Sequence, residues 1–239
     1  MGSLLLKNLN KMNLKDKIVL AHKGYFNKEC EKTYRENSRD VCKISGTKDY
    51  IAIIEVDVRK SKDGVLYCHH GTLPQYWFFL RTLRIFSDIK KKYNVDTLAE
   101  ILEVIPENKI IVLDLKSKSI TKTDILNTLK SKKYKRIILG NTSLTSVSFL
   151  ERFNDMPEEF VKVMNGNIFC KFYNLAKLKN KNYKYFEVVF PFQVSRIIIN
   201  KVSEQGMEFR CAGLFFPTKE SYWKKINNYD IKHISSDFI

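Results

Sequence analysis

The sequence predicts a (β/α)8 barrel, also called a TIM barrel, formed by a single domain over residues 1–239. Apolar runs of strand length alternate with helical segments, a pattern typical of a parallel sheet covered by helices. Eight such runs in a chain of this length fit one closed barrel. The predicted strands are 18–22, 51–58, 110–116, 136–140, 160–164, 186–191, 208–215 and 231–235. The predicted helices are 33–45, 96–105, 122–132, 144–153, 193–205 and 218–227.

A β-hairpin extension is predicted directly after the second strand. Asp63-Gly64 is a strong signal for a tight turn, and residues 65–69 have the composition of a returning strand. Since the two arms of a hairpin run antiparallel, we expect His69 to return to the level of Asp57.

Composition narrows the class of protein and its compartment. With 44% hydrophobic and 13% aromatic residues, the chain has a globular rather than a disordered composition. No apolar run approaches the roughly 20 residues that span a bilayer, and the N-terminus lacks the cleavage site of a signal peptide, so we expect a cytoplasmic protein. The five cysteines form no CxxC pair, which argues against a disulfide framework and a thiolate zinc site.

The formal net charge of +16 could indicate nucleic acid, an anionic membrane or an anionic small substrate as partner. The lysines are spread along the whole chain, and no nucleic-acid-binding module accompanies them. We therefore expect no nucleic-acid partner.

Polar side chains follow one another at the carboxyl ends of the first three predicted barrel strands. His22 ends the first strand, Glu55 and Asp57 share one face of the second, and Asp114 and Lys116 share one face of the third. Barrel enzymes place their active sites at this end. Carboxylates beside an imidazole predict a divalent-metal site with a proton carrier at its edge.

Short motifs connect these residues in a fixed order along the chain. They are His22-Lys23-Gly24, Glu36-Asn37-Ser38, Ile54-Glu55-Val-Asp57-Val58, Lys62-Asp63-Gly64, His69-His70-Gly-Thr-Leu73, Thr97-Leu98-Ala-Glu100-Ile-Leu102, Asp114-Leu115-Lys116 and Ser236-Asp237. In this order the chain resembles the glycerophosphodiester phosphodiesterase family, within the phospholipase C-like phosphodiesterase barrels.

The resemblance implies a metal-dependent hydrolase that cleaves a small phosphodiester to an alcohol and a phosphomonoester. It implies Glu55, Asp57 and Asp114 as ligands of a divalent cation, and hard oxygen ligands favour Mg²⁺ or Ca²⁺ over zinc. It also implies His22 and His69 as acid and base, without saying which is which. Lys23 and Lys116 would then hold the phosphate.

Four positions depart from the family pattern, and the missing motif among them concerns the wall that would contact the alcohol. Lys23 replaces an arginine, Asp114 replaces a glutamate, His70 replaces an aspartate, and the Trp-Thr-Val-Asn motif is missing near residues 211–216. The alcohol could therefore be glycerol, a lysophospholipid or sphingolipid-like headgroup, or part of a surface glycan. A different class of function would be a catalytically decayed barrel that binds an anionic ligand or nucleic acid.

Several residues have both a structural and a functional interpretation. Adjacent residues of a strand point to opposite faces, so we expect His69 but not His70 to enter the site, with His70 in a supporting or packing role. Glu36 and Asn37 either open a helix or support the site. We expect a structural role for His233 and a position on the site rim for Asp237.

The segment 76–86 is rich in aromatic residues and follows the two histidines. It is either a helix packed on the barrel or a patch that makes transient contact with a membrane surface.

Overall fold

The computed structural model describes residues 14–71, 84–129, 132–141, 146–166, 182–188, 190–211, 216 and 218–239. The strands are β1 (Ile18–Ala21), β2 (Ile51–Lys60), β3 (Leu66–Cys68), β4 (Ile110–Leu115), β5 (Arg136–Gly140), β6 (Phe160–Gly166), β7 (Tyr183–Val188), β8 (Glu208–Cys211) and β9 (His233–Ser235). The α-helices are α1 (Arg39–Gly46), α2 (Phe86–Tyr93), α3 (Leu98–Val104), α4 (Lys122–Leu129), α5 (Ser146–Leu150), α6 (Arg196–Glu204) and α7 (Lys219–Asn228). Short 3₁₀ turns cover Leu14–Asp16, His22–Gly24, Lys28–Lys32, Glu151–Phe153, Pro191–Gln193 and Ser236–Phe238.

Eight of the strands close into a barrel. The sheet order is β1-β9-β8-β7-β6-β5-β4-β2-β3, and β1 also pairs with β2, which joins the two sides of the sheet. All these pairings are parallel except that of β2 with β3, which is antiparallel. The (β/α)8 barrel and the hairpin after the second strand are therefore confirmed.

The apolar core has two layers because alternate residues of each strand face opposite sides of the sheet. The larger layer lies between the strands and the helices. The smaller one fills the barrel interior, and its buried members are Leu20, Ile53, Val112, Ile138, Val161, Val163 and Tyr185. This inner layer forms an apolar floor beneath the polar residues at the carboxyl ends of the strands.

Some predicted boundaries were wrong. The helix predicted over 33–45 begins at Arg39, because Ser38 caps it and Asn37 before it has a left-handed backbone (φ 54°). Helix α2 was missed. Strand β7 lies at Tyr183–Val188 rather than 186–191, since Pro191 opens a 3₁₀ turn. Strand β8 ends at Cys211, and residues 212–215 of its prediction lie outside the described residues. Among the helices described, none has the length and apolarity to cross a membrane.

Candidate active site

Three carboxylates converge at the carboxyl end of the barrel because β2 and β4 are neighbours in register. Asp57 of β2 lies directly opposite Asp114 of β4, and Glu55 lies two residues before Asp57 on the same face. All three side chains are buried, and each places one carboxylate oxygen within 4.8 Å of the others. The structure thus brings together the three predicted metal ligands.

Lys116 supplies a positive charge to this cluster. Its Nζ lies 2.6 Å from Asp114 Oδ2 and 3.0 Å from Asp57 Oδ1. Burial opposes the charge, but the Asp114 and Asp57 carboxylates raise the pKa of Lys116 above its usual range. Burial likewise opposes ionisation of Asp57, yet Lys116 lowers the pKa of that carboxyl to about 2.

One ammonium group does not balance three carboxylates. Burial, followed by repulsion from Asp57, raises the pKa of Glu55 to about 8. Asp114 Oδ1 is buried and has no hydrogen-bond partner among the described residues. Such a site favours a further cation, and its hard oxygen donors fit Mg²⁺ or Ca²⁺.

His22 is held in place by two residues near the end of the sequence, Ser236 and Asp237. It follows β1 directly, and its ring Nδ1 lies 2.9 Å from Asp237 Oδ2. Its backbone N–H donates to Ser236 Oγ at 3.1 Å. Burial lowers the pKa of His22, but Asp237 outweighs that effect and the pKa rises to about 9. The structure thus places Asp237 at the site, as predicted for the rim.

Lys23 contacts the cluster through its backbone. Its left-handed conformation (φ 53°) allows the N–H to donate to Glu55 Oε2 at 2.6 Å. Its side-chain Nζ lies 3.1 Å from Glu36 Oε2. Lys23 and Glu36 both line the same cavity as His22.

Asn37 supports Asp57 with two hydrogen bonds. Its Nδ2 donates to Asp57 Oδ2 at 2.8 Å, and its Oδ1 accepts the backbone N–H of Asp57, also at 2.8 Å. The helix that follows is capped by Ser38, whose side chain accepts from the Val41 N–H. Of the two interpretations of Asn37, the structure therefore favours support of the site over capping.

His69 and His70 follow the end of β3. The backbone N–H of His69 donates to the Asp57 carbonyl at 3.0 Å, which confirms the predicted level of the returning strand. The Arg59 guanidinium donates to the carbonyl oxygens of His69 (2.8 Å) and His70 (2.5 Å). The His69 ring stacks on Tyr93, with centroids 5.0 Å apart. The β2–β3 hairpin, Arg59 and helix α2 together hold His69 and His70 in place.

The two histidines have different electrostatic surroundings. Burial lowers the pKa of both. After burial, the charges that act most on His70 are Asp57, Lys23 and Lys116, whereas His69 is influenced mainly by Arg59. Strand pairing stops at Cys68, so strict alternation of faces does not separate the two rings. Alternation of faces therefore does not decide which of the two rings faces the carboxylates.

A cavity of about 670 Å³ opens beside these residues. Its lining consists of His22, Lys23, Tyr25, Lys28, Glu31, Glu36, Phe216, Asp237 and Phe238. It offers aromatic and charged surface next to the predicted phosphate-binding lysine.

Two residues that fix the site, Arg59 and Tyr93, were not predicted from the sequence, whereas Ser236 entered only as part of the Ser236-Asp237 motif. Arg59 lies two residues after Asp57 in β2 and is buried, so its position in the alternating pattern was a usable signal. Tyr93 gave no local signal, because its contact with His69 joins two separate elements of the fold. His233 pairs with Glu208 at 2.5 Å at the start of β9, away from the carboxylates, in agreement with a structural role.

No family model matches this sequence, and a search of curated proteins also found no match. Solved structures do match in fold. A glycerophosphodiester phosphodiesterase from Thermotoga maritima is 20% identical, with a TM-score of 0.68 over 93% of this chain and 95% of that one. One from Agrobacterium tumefaciens is 18% identical, with a TM-score of 0.66 over 93% and 97%. One from Parabacteroides distasonis is 15% identical, with a TM-score of 0.66 over 92% and 93%. The chain has the barrel fold of these enzymes.

Proposed function

We propose that this protein is a metal-dependent phosphodiesterase that hydrolyses a glycerophosphodiester-type substrate to an alcohol and a phosphomonoester. The observation that carries the proposal is the buried cluster of Glu55, Asp57 and Asp114 at the catalytic end of the barrel. A half-buried histidine and two lysines stand beside that cluster. The solved enzymes that share the fold support the same reaction class.

The three carboxylates would hold Mg²⁺ or Ca²⁺. Such an ion supplies positive charge to the phosphate oxygens as negative charge develops on them. Asn37 holds Asp57 in place, and the Lys23 N–H holds Glu55, so two of the three ligands are already oriented by hydrogen bonds. Lys23 and Lys116 would bind the phosphate.

The surroundings of the histidines suggest how the protons move. Asp237 stabilises the protonated His22 ring, which suits His22 to donate a proton from Nε2 to the leaving oxygen. Burial favours the neutral His69 ring, which suits it to accept a proton from the attacking water or substrate hydroxyl. His69 Nε2 is buried and has no hydrogen-bond partner among the described residues.

The alcohol portion would occupy the cavity beside Lys23. Its aromatic walls, Tyr25, Phe216 and Phe238, accommodate a larger group than glycerol alone, which keeps a lysophospholipid or sphingolipid-like headgroup as the alternative substrate. Of the segment 76–86, for which either a helix packed on the barrel or transient membrane contact was expected, residues 76–83 lie outside the described residues.

The deciding experiment is a screen of phosphodiesters with the full chain. Glycerophosphocholine, glycerophosphoethanolamine, lysophosphatidylcholine and bis(p-nitrophenyl) phosphate are incubated with Mg²⁺, Ca²⁺ or Mn²⁺, before and after EDTA. We expect turnover of at least one diester, lost with EDTA and restored by a divalent ion. Absence of turnover with every diester and ion, together with salt-sensitive DNA binding, would favour the decayed-barrel alternative.

A further inference from the structure

Large apolar side chains are exposed at only one end of the described structure. In the described ranges, they are Ile85 (43% exposed), Phe192 (52%) and Ile197 (69%). None of them lies in a turn that leads into the amino end of a barrel strand. Ile85 lies at the tip of the hairpin beyond the carboxyl end of β2, and Phe192 and Ile197 follow the carboxyl end of β7.

The positions of these residues are fixed by the fold. The Lys62 N–H donates to the Arg84 carbonyl, and the Phe86 N–H donates to Asp63 Oδ1, both at 2.9 Å. These bonds hold Ile85 against the tip of the β2–β3 hairpin. Phe192 lies in the connection from β7 to α6, where its ring stacks on Phe190 with centroids 5.4 Å apart, and Ile197 lies in the first turn of α6.

The strand order puts these two apolar points on opposite sides of the active site. Around the closed barrel β2 is the second strand and β7 the sixth of eight, so they lie across the barrel from each other. Both points therefore belong to the same end of the barrel, on opposite sides of the carboxylate cluster.

Each apolar point is next to an exposed arginine. Arg84 precedes Ile85, and Arg196 precedes Ile197. The chain as a whole carries a formal charge of +16. Apolar side chains next to arginines suit the boundary of a bilayer that contains anionic lipid, where the apolar groups enter the acyl region and the cations meet headgroups.

We infer that the catalytic rim docks on an anionic lipid surface through Arg84–Ile85 on one side and Phe192–Ile197 on the other. A protein partner would require one contiguous interface of roughly 800 Å² per side, whereas the exposed apolar groups among the described residues are few and lie on opposite sides of the barrel. Nucleic acid would use the charges but not exposed isoleucine and phenylalanine. The inference goes beyond the proposed hydrolysis and does not depend on it, because binding is measured without turnover.

The test is cosedimentation of the full chain with vesicles, in EDTA. Vesicles of phosphatidylcholine alone are compared with vesicles containing phosphatidylserine, and the second kind should bind far more protein. Ile197→Ser and Phe192→Ser should each weaken that binding, and the double variant should weaken it about tenfold or more. Ile197→Ser is the substitution that should disturb folding least, because the Ile197 side chain is mostly exposed. Thermal melting of each variant confirms that it is folded.

A matched pair of charge variants locates the surface. Arg196→Gln should weaken binding to the anionic vesicles, whereas Lys232→Gln, which removes an exposed charge before β9 at the opposite end, should leave it unchanged. Equal effects of these two variants, or full binding by a folded double variant, would overturn the inference. Binding to DNA but not to vesicles would also overturn it. Binding to vesicles without hydrolysis of any diester would leave the inference standing and contradict only the proposed function.

Discussion

The two sides of the candidate active site hold their histidines in different ways. On one side, His22 follows β1 and is bound through its ring by Asp237, from the end of the chain. On the other, His69 follows the hairpin and is positioned by its backbone N–H on Asp57 and by stacking on Tyr93. Hydrogen bonding to a carboxylate raises the pKa of His22 to about 9, whereas burial lowers that of His69. The pKa values of two histidines are thus shifted in opposite directions within a single site.

Both sides depend on the carboxylates between them, so the largest effect is expected there. Glu55→Gln and Asp57→Asn should reduce turnover to background, because each removes a charged ligand from the cluster. The measurement is the rate of diester hydrolysis at saturating Mg²⁺ or Ca²⁺, with thermal melting to confirm folding. Full activity in both variants would show that hydrolysis does not need a metal ion held by these carboxylates.

Substitution of each histidine tests whether the two sides of the site have different roles. His22→Ala and His69→Ala should each lower kcat by about 10²–10⁴, the usual range for losing a general acid or base. The double variant should lose less than the product of the single effects if the two rings act in one cycle.

His70→Ala is the control for the hairpin side. A supporting role predicts a smaller loss than that of His69→Ala. The reverse order would assign the proton-transfer role to His70, whose charged surroundings include Asp57, Lys23 and Lys116.

Substitutions of Lys23 test phosphate binding on the side of the site that holds His22. Lys23→Ala should lower kcat/KM by about 10- to 100-fold, the effect of losing a charge-assisted hydrogen bond to the phosphate. The left-handed backbone is not a confounding factor, because lysine and alanine both carry a Cβ there. Lys23→Arg should retain substantial activity, since the fork of donors still reaches a phosphate. An unchanged kcat/KM for Lys23→Ala would show that Lys23 does not contact the phosphate.

Asn37 tests the orientation of Asp57. In Asn37→Gly, the glycine adopts the left-handed backbone without strain, but both hydrogen bonds to Asp57 are lost. Because Asp57 is then less well oriented as a metal ligand, the ion concentration that gives half-maximal activity should rise about 10- to 100-fold. Asn94→Gly is the matched control, because Asn94 is also left-handed (φ 51°) and caps α2. Equal behaviour of the two variants would show that Asn37 has no special role.

The smallest effect concerns stability. The raised pKa of His22, about 9 against an ordinary 6.5, contributes stability that is fully present below pH 6.5 and lost as pH rises through about 9. In EDTA, Asp237→Asn should therefore lower the free energy of unfolding by about 1.5–3 kcal/mol at pH 6, and by much less at pH 10. Urea unfolding at the two pH values measures this. The exposed Asp230→Asn variant should show no comparable pH dependence, and a loss for Asp237→Asn that is the same at both pH values would contradict the His22–Asp237 pairing.

Local patterns predicted the first half of the fold better than the second. The strands and turn around Glu55, Asp57 and Asp63-Gly64 were readable because alternation and turn chemistry act over a few residues. The start of α1 was misplaced because Asn37 is held by Asp57, a contact 20 positions away that overrides its capping preference. Strand β7 was misplaced because buried Tyr183 and Tyr185 alternate with lysine in a run that is not conspicuously apolar.

The sequence by itself determined the barrel, the hairpin and the residue types at the carboxyl ends of the strands. These follow from periodicities of two and 3.6 residues and from turn residues, which are properties of neighbouring positions. Only the tertiary structure decided which groups meet: Asp57 with Asp114 across two strands, Asn37 with Asp57, and His22 with Asp237 some 215 positions away. The pKa shifts of the histidines also arise from the tertiary structure, because a pKa depends on burial and on nearby charges in space rather than on sequence neighbours.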